Sequence, residues 1–385
     1  MIKKIKGMTW DHPRGYAPLE EAAKRYQQLH PDVEITWDRR SLQAFADRPI
    51  DLMAAEYDLM IIDHPHVGEI TRKQCLVELD TVGRDSELEQ LKRNSLGPSH
   101  ASYFYDDHQW ALALDAAAQI ACSRPDLMDS PVPTNWNQVI ELAKKGTVLC
   151  PLKPVDAIDS FFTLCANLGD PVAQSQQELV KLETAQTCLE IMKALADNVP
   201  KFCLEYNPIQ VFELMSQQND FVYCPLLFGY TNYGRPNYRD HLIEFHDIPS
   251  FSPSHVKGSI IGGTGICVSS KSEFVEQAID FSFWLASEDV QKGFYFESGG
   301  QPAHKAAWLD SRINKQCNNF MTSTIQTLEQ AWIRPRYDGY MGLADDGGDV
   351  VNGFLRGKVS MEKCIKQLEY LYQYSLTHPA SQKFE

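Results

Sequence analysis

GSIIGGTGICVSSKSEFVEQAIDFSFWLASEDVQKGFYFESGGQPAHKAAW, Gly258 to Trp308, is the stretch whose reading decides the fold. Gly262, Gly263 and Gly265 free the backbone for positive φ and for close approach to a neighbour or ligand, and Thr264 sets a small hydroxyl among them. Ile266, Cys267 and Val268 read as a short buried strand, after which Ser272 is placed to cap a helix. On that helix Phe274, Ala278, Phe281 and Leu285 recur at helical spacing and are expected to face a core. The glycine turn alone is equally compatible with a purely structural role, and its neighbours give it weight.

Upstream the same alternation recurs. IKKIKGMTW predicts a first strand with Ile2, Ile5 and Met8 towards a core. After the loop DHPRGYAP, Pro18 is a plausible first helical position, and Leu19, Ala22, Ala23, Tyr26 and Leu29 make the helix's apolar face. VEITW predicts a second strand, and YDLMIIDHP is a continuous apolar run ending in polar residues, the pattern of a buried parallel strand. Strands alternating with helices predict a parallel α/β sheet that takes ligands at the carboxyl ends of its strands.

The chain has 385 residues, more than a single core usually holds, so two lobes are expected. A formal net charge of −15 argues against a nucleic-acid or anionic-membrane partner. No apolar run is long enough to span a bilayer, and MIKKIKGMTW leads into polar residues rather than an apolar signal core, so the sequence reads as carrying no export address. Ten cysteines lie scattered with no CxxC pair, many inside apolar runs, as expected of reduced thiols in a reducing compartment.

The stretch from Gly258 to Trp308 resembles the late signature of type 1 extracellular solute-binding proteins, the receptor components of ABC importers for sugars and similar solutes. Further segments resemble that family in the same order: CLVELD, DDHQWALALDAAAQIACSRPDLM, TNWNQVIELAKKG, AWIRPRYDGY and VVNGFLRGKVSMEKCIKQLEYLY. Three features depart from it: Ala113 where proline is common, Cys122 to Arg124 in place of an aromatic-lysine pair, and the opening TWDHPRGY. The resemblance implies an α/β type II periplasmic-binding-protein-like fold of two lobes joined by a multi-strand hinge. One lobe would hold residues 1–113 and 259–314, and the other 114–258 and 315–385. It implies closure on a small polar ligand (sugar, sugar acid or small carboxylate), an ABC permease as partner, a monomer, and no cofactor. Family members are secreted or lipid-anchored, whereas the cysteines and the opening residues point to the cytoplasm. A periplasmic protein whose signal has been removed is the alternative.

Candidate ligand residues fall on loops after strands. Trp10, His12 and Arg14 lie between a strand end and a helix start, where free N–H groups favour anions, and Arg14 suits a carboxylate or phosphate. The competing reading has Asp11 capping, Arg14 paired with an acid and Trp10 in the core. Asp63 and His64 follow the third strand and suit ligand oxygens, against a capped helix start with solvent-facing histidines. Gly263 and Thr264 would stand at the edge of the first lobe. The second lobe would contribute Asp115, Tyr230, Asn232, Tyr233, Arg336 and Tyr337, with Phe228 in the core. For Arg336 an anion contact and a structural arginine are both open.

Asp63, His64 and His66 lack a third histidine or paired carboxylate at useful spacing, so no metal site is expected. DDGGD, Asp345 to Asp349, lacks the rest of a calcium loop and reads as helix capping. No nucleophile elbow, phosphate loop, zinc-protease motif or complete dinucleotide fingerprint occurs. An enzyme acting on a small acid or its thioester, through His12, Asp63, His64 and Cys224, stands as the alternative function.

Overall fold

The computed structural model describes residues 2–41, 50–251 and 257–379. In chain order its main elements are β1 (Lys3–Trp10), α1 (Pro13–Leu29), β2 (Val33–Arg40), β3 (Leu59–Ile62), α2 (Val67–Lys73), α3 (Asp85–Arg93), β4 (Phe104–Tyr105), β5 (His108–Gln109), β6 (Leu112–Ser123), α4 (Trp136–Ala143), α5 (Pro154–Leu168), α6 (Leu182–Asn198), α7 (Pro208–Gln217), β7 (Tyr223–Phe228), β8 (Glu244–His246), β9 (Ile261–Val268), α8 (Val275–Ala286), α9 (Phe320–Glu329), α10 (Tyr340–Leu355) and α11 (Met361–Ser375). The chain divides into two compact units. The first comprises Met1–Ala116, Gly262–Ile313 and Arg336–Asp338, and the second Ala117–Ile261, Asn314–Pro335 and Gly339–Glu385. The passages expected near residues 114, 259 and 315 thus fall after Ala116, Ile261 and Ile313, and Arg336–Asp338 makes an excursion into the first unit that the sequence reading did not anticipate.

In the first unit β1 pairs in parallel with β2, from Lys3↔Val33 to Trp10↔Arg40, and with β3 at Gly7↔Leu59. β9 adds antiparallel to β3, Leu59 facing Val268. All four residues of β3 are buried, as a continuous apolar run requires of a strand covered on both faces. Ile5 and Met8 are buried although an odd spacing points them to opposite faces; Ile2 and Leu29, expected in the core, are exposed at the ends of their elements. The first helix begins at Pro13, not Pro18. The His12 Nδ1 accepts from the Arg14 N–H at 3.1 Å, and Pro13 takes the first turn where no N–H is needed. Pro18 lies inside the helix at the cost of one backbone bond. Ser272 organises the turn before α8 instead of capping it: its hydroxyl donates to Asp58 at 2.6 Å and accepts from the Phe274 N–H.

In the second unit β6 pairs antiparallel with β7 and β8, while parallel bridges join Val148 to Tyr223, Asn135 to Ser250 and Ile260 to Trp332, so the parallel arrangement expected from the sequence holds in part in each unit. The buried Arg124 guanidinium donates to the carbonyls of Met215 and Gln218, both at 2.7 Å, closing the carboxyl end of α7. Gly347 and Gly348 lie inside α10, where a Cβ at Gly348 would press within 2.6 Å of the Pro154 carbonyl. The two glycines of DDGGD therefore pack closely against α5 while its three aspartates stay exposed, and the segment lies inside a helix rather than capping one.

Candidate ligand site

The residues at the carboxyl ends of the first unit's strands are brought together, but largely in each other's service. Arg14, 4% exposed, and Asp115, 1% exposed, form a bidentate ion pair, with the Arg14 Nε donating to Oδ2 at 2.7 Å. Burial pushes the Asp115 carboxyl up, and the adjacent guanidinium pulls it down. The fully buried Tyr295 ring lies near this pair and packs on Gly300, and burial raises its phenol well above the usual range. Gln301 ties the same strand down: the Ala116 N–H donates to its carbonyl at 3.1 Å, and its side-chain amide donates to the Ala116 carbonyl at 2.7 Å. The expectation that Arg14 grips an anionic ligand is corrected, because its charge is spent on Asp115. Asp115 is also placed in the first unit, not the second.

Trp10 packs into the first unit's core with its indole over Gly15, and His12, rather than Asp11, caps α1. Asp63 caps the 3-10 turn His64–His66 by accepting from the His64 N–H at 3.0 Å, and its side chain stays 34% exposed. Both histidines of that turn are buried, not solvent-facing, and the His64 ring meets Tyr103 edge-on. Gly263 has φ +92°, and a Cβ there would overlap the Asp115 carbonyl, so this glycine serves chain packing. Thr264 is half-buried. Asp63, with a part-exposed side chain, and Thr264, half-buried, are thus the expected polar residues not sealed into the fold at this edge, and Asp11 is exposed.

Arg336 reaches the carbonyls of Ala101, Ser102 and Phe104 at 2.7–3.1 Å, closing the 3-10 helix Ala101–Tyr103. Burial lowers its pKa. It is a structural arginine of the first unit, where Tyr337 follows it, and a Cβ at Gly68 would overlap its carbonyl. These contacts correct its placement in a second-lobe anion site.

In the second unit Tyr233 is buried and stacked on Phe212, its hydroxyl donating to Glu213 at 2.6 Å. This removes it from the accessible residues. Tyr230 and Asn232 are buried on the same turn, and Phe228 is half-buried. Sequence reasoning missed a polar group at the start of α5. Asp156 and Asp159, three residues apart on one face, are both buried; Asp159 pairs with Arg334 at 3.7 Å. The Asp156 Oδ2 has no hydrogen-bond partner among the described residues, and burial pushes its carboxyl well above the usual range. The spacing in PVDAID was the available signal. Among the described residues no group of three or more histidine, cysteine, aspartate or glutamate side chains is placed to hold a metal ion, and no helix is long and apolar enough to cross a membrane.

The sequence pattern of the bacterial extracellular solute-binding proteins matches residues 9–292. The chain belongs to that family. Among curated proteins no sequence matches it. Solved structures do. Maltose-bound MalE3 of T. maritima superposes with a TM-score of 0.82 at 17% identity, over 96% of this chain and 99% of that one. A solute-binding protein of Agrobacterium radiobacter K84 in complex with ribitol gives 0.83 at 19%, over 96% and 98%. One from Thermotoga lettingae TMO bound with alpha-D-tagatose gives 0.80 at 15%, over 97% and 100%. At these identities the likeness establishes the fold, that of the type II periplasmic binding proteins.

Proposed function

We propose that this family member is the solute receptor of an ABC importer and that its ligand is a neutral polyhydroxylated molecule, a sugar or polyol. The observation that carries the ligand class is the Arg14–Asp115 pair. The cation that the opening loop offered is neutralised inside the first unit, and the polar residues not sealed into the fold at the same edge are the acids Asp11 and Asp63 and Thr264. Carboxylates accept hydrogen bonds from ligand hydroxyls and repel a ligand carboxylate. Relatives with maltose, ribitol and tagatose bound support the same class. Asp63 and Thr264 of the first unit are the proposed ligand contacts. Binding proceeds without turnover, and the partner is an ABC permease. The family is extracellular by description, and we place the chain outside the cytoplasmic membrane. The free thiols and the opening residues were the reasons to expect the cytoplasm, and the thiols do not require it, since two of them stand opposed on neighbouring strands.

A thermal-shift screen of sugars and polyols against small carboxylates tests the reading, since a ligand raises stability by mass action. Asp63→Ala is expected to weaken the ligand found by at least about tenfold, the cost of one hydrogen bond to a charged acceptor. Undiminished affinity would remove Asp63 from the site.

A further inference from the structure

All ten cysteines are buried and free, yet they are not all solitary. Cys122 on β6 and Cys224 on β7 are register partners in the antiparallel pair, directly opposite each other. Opposed residues in such a ladder point to the same face with Cα atoms about 4.5 or 5.5 Å apart, depending on the class of pair. Both separations lie inside the roughly 4.4–6.8 Å window of a disulfide. At present the Cys122 thiol meets the Met215 sulfur at 3.9 Å and the Cys224 thiol the Leu226 carbonyl at 4.0 Å, contacts weak enough to exchange for an S–S bond, and the register shift between Ile120 and Cys122 gives β6 local slack.

We propose that Cys122 and Cys224 are a latent disulfide that closes when the chain folds in an oxidising environment and stays open as a thiol pair in a reducing one. The chemistry is thiol–disulfide exchange with a small disulfide. One thiolate attacks glutathione disulfide, forming a mixed disulfide and releasing glutathione. The second thiolate then displaces the other glutathione, leaving one S–S bond where two S–H bonds were and two molecules of reduced glutathione. Both sulfurs are fully buried, so exchange takes place during folding or on opening of this sheet rather than at the native surface. The bond would join β6 to β7 across about a hundred residues of intervening chain, a loop long enough for the cross-link to restrict the unfolded state strongly.

The test uses the full chain, unfolded and then refolded once in a glutathione/glutathione disulfide buffer and once with dithiothreitol. Each sample is alkylated under denaturing conditions and mapped by peptide mass without reduction. The oxidised sample is expected to contain a Cys122 peptide joined to a Cys224 peptide, two hydrogens lighter than their sum, and to melt several degrees above the reduced sample. Dithiothreitol should remove both differences. In Cys224→Ala the joined species should vanish and Cys122 become fully alkylatable. Complete alkylation of Cys122 and Cys224 after oxidative refolding, or Cys122 joined to some other cysteine, would overturn the proposal.

Discussion

Arg14 and Asp115 are worth more to each other than to a ligand. Removing the guanidinium leaves a buried carboxylate with its main countercharge gone, a change that costs about 3–5 kcal/mol in comparable pairs. Arg14→Ala is therefore expected to lower the urea midpoint substantially, and Arg14→Ala with Asp115→Ala to recover part of the loss. Equal stability of Arg14→Ala and the parent chain would show that the pair does not hold the first unit together. Asp156 poses the opposite case. Its folded-state pKa lies above the unfolded one, so the folded state holds a proton the unfolded state has released. Stability from this group is fully present below the ordinary carboxylate pKa and is lost as pH rises through the folded value. Asp156→Asn keeps the shape of the neutral acid. It should match the parent near about pH 4 and exceed it near about pH 8, where the parent has lost that stability. A variant less stable than the parent at the higher pH would mean that Asp156 works as an anion.

At the scale of elements, Gly263 shows what a motif reading confuses. A glycine at positive φ beside a threonine looks like a ligand loop, but the close approach it permits is between β9 and the Asp115 carbonyl. Gly263→Ala is expected to destabilise the fold by about 2 kcal/mol or more, through strain at positive φ and displacement of β6, as read by denaturation. β8 carries a pH-sensitive contact, since His246 meets the Ser123 hydroxyl of β6 at 2.8 Å and burial lowers its pKa to about 4, as it does for His100. An unfolded histidine titrates near about 6.5, so each contributes stability above that pH that is lost as pH falls towards 4, up to about 3 kcal/mol apiece. His246→Gln should flatten the fall between about pH 6.5 and 4, and an unchanged pH profile would clear β8 of the effect. The elements themselves were legible wherever apolar periodicity was strong, as in β1, β3, β9 and α8. Strand direction in the second unit was not, because pairing is set by the connections and leaves no trace in hydrophobic pattern. The site was less legible for a related reason. Arg14, Asp115, Tyr233 and Arg336 carry the chemistry of recognition, and their partners lie 20 to more than 200 residues away in sequence. A side chain already satisfied within the fold looks the same in sequence as one reserved for a ligand.

For the whole molecule, family, fold and charge converge. The chain belongs to a family of solute receptors and shares its fold with proteins solved with sugars and polyols, and its net charge of −15 repels anions at long range. The most direct test is isothermal titration of the full chain with matched pairs that differ in one terminus, ribitol with ribonate and glucitol with gluconate. Binding of a polyol at least about tenfold tighter than its aldonate is the predicted result, equivalent to about 1.4 kcal/mol. An aldonate that binds more tightly than its polyol would contradict the account.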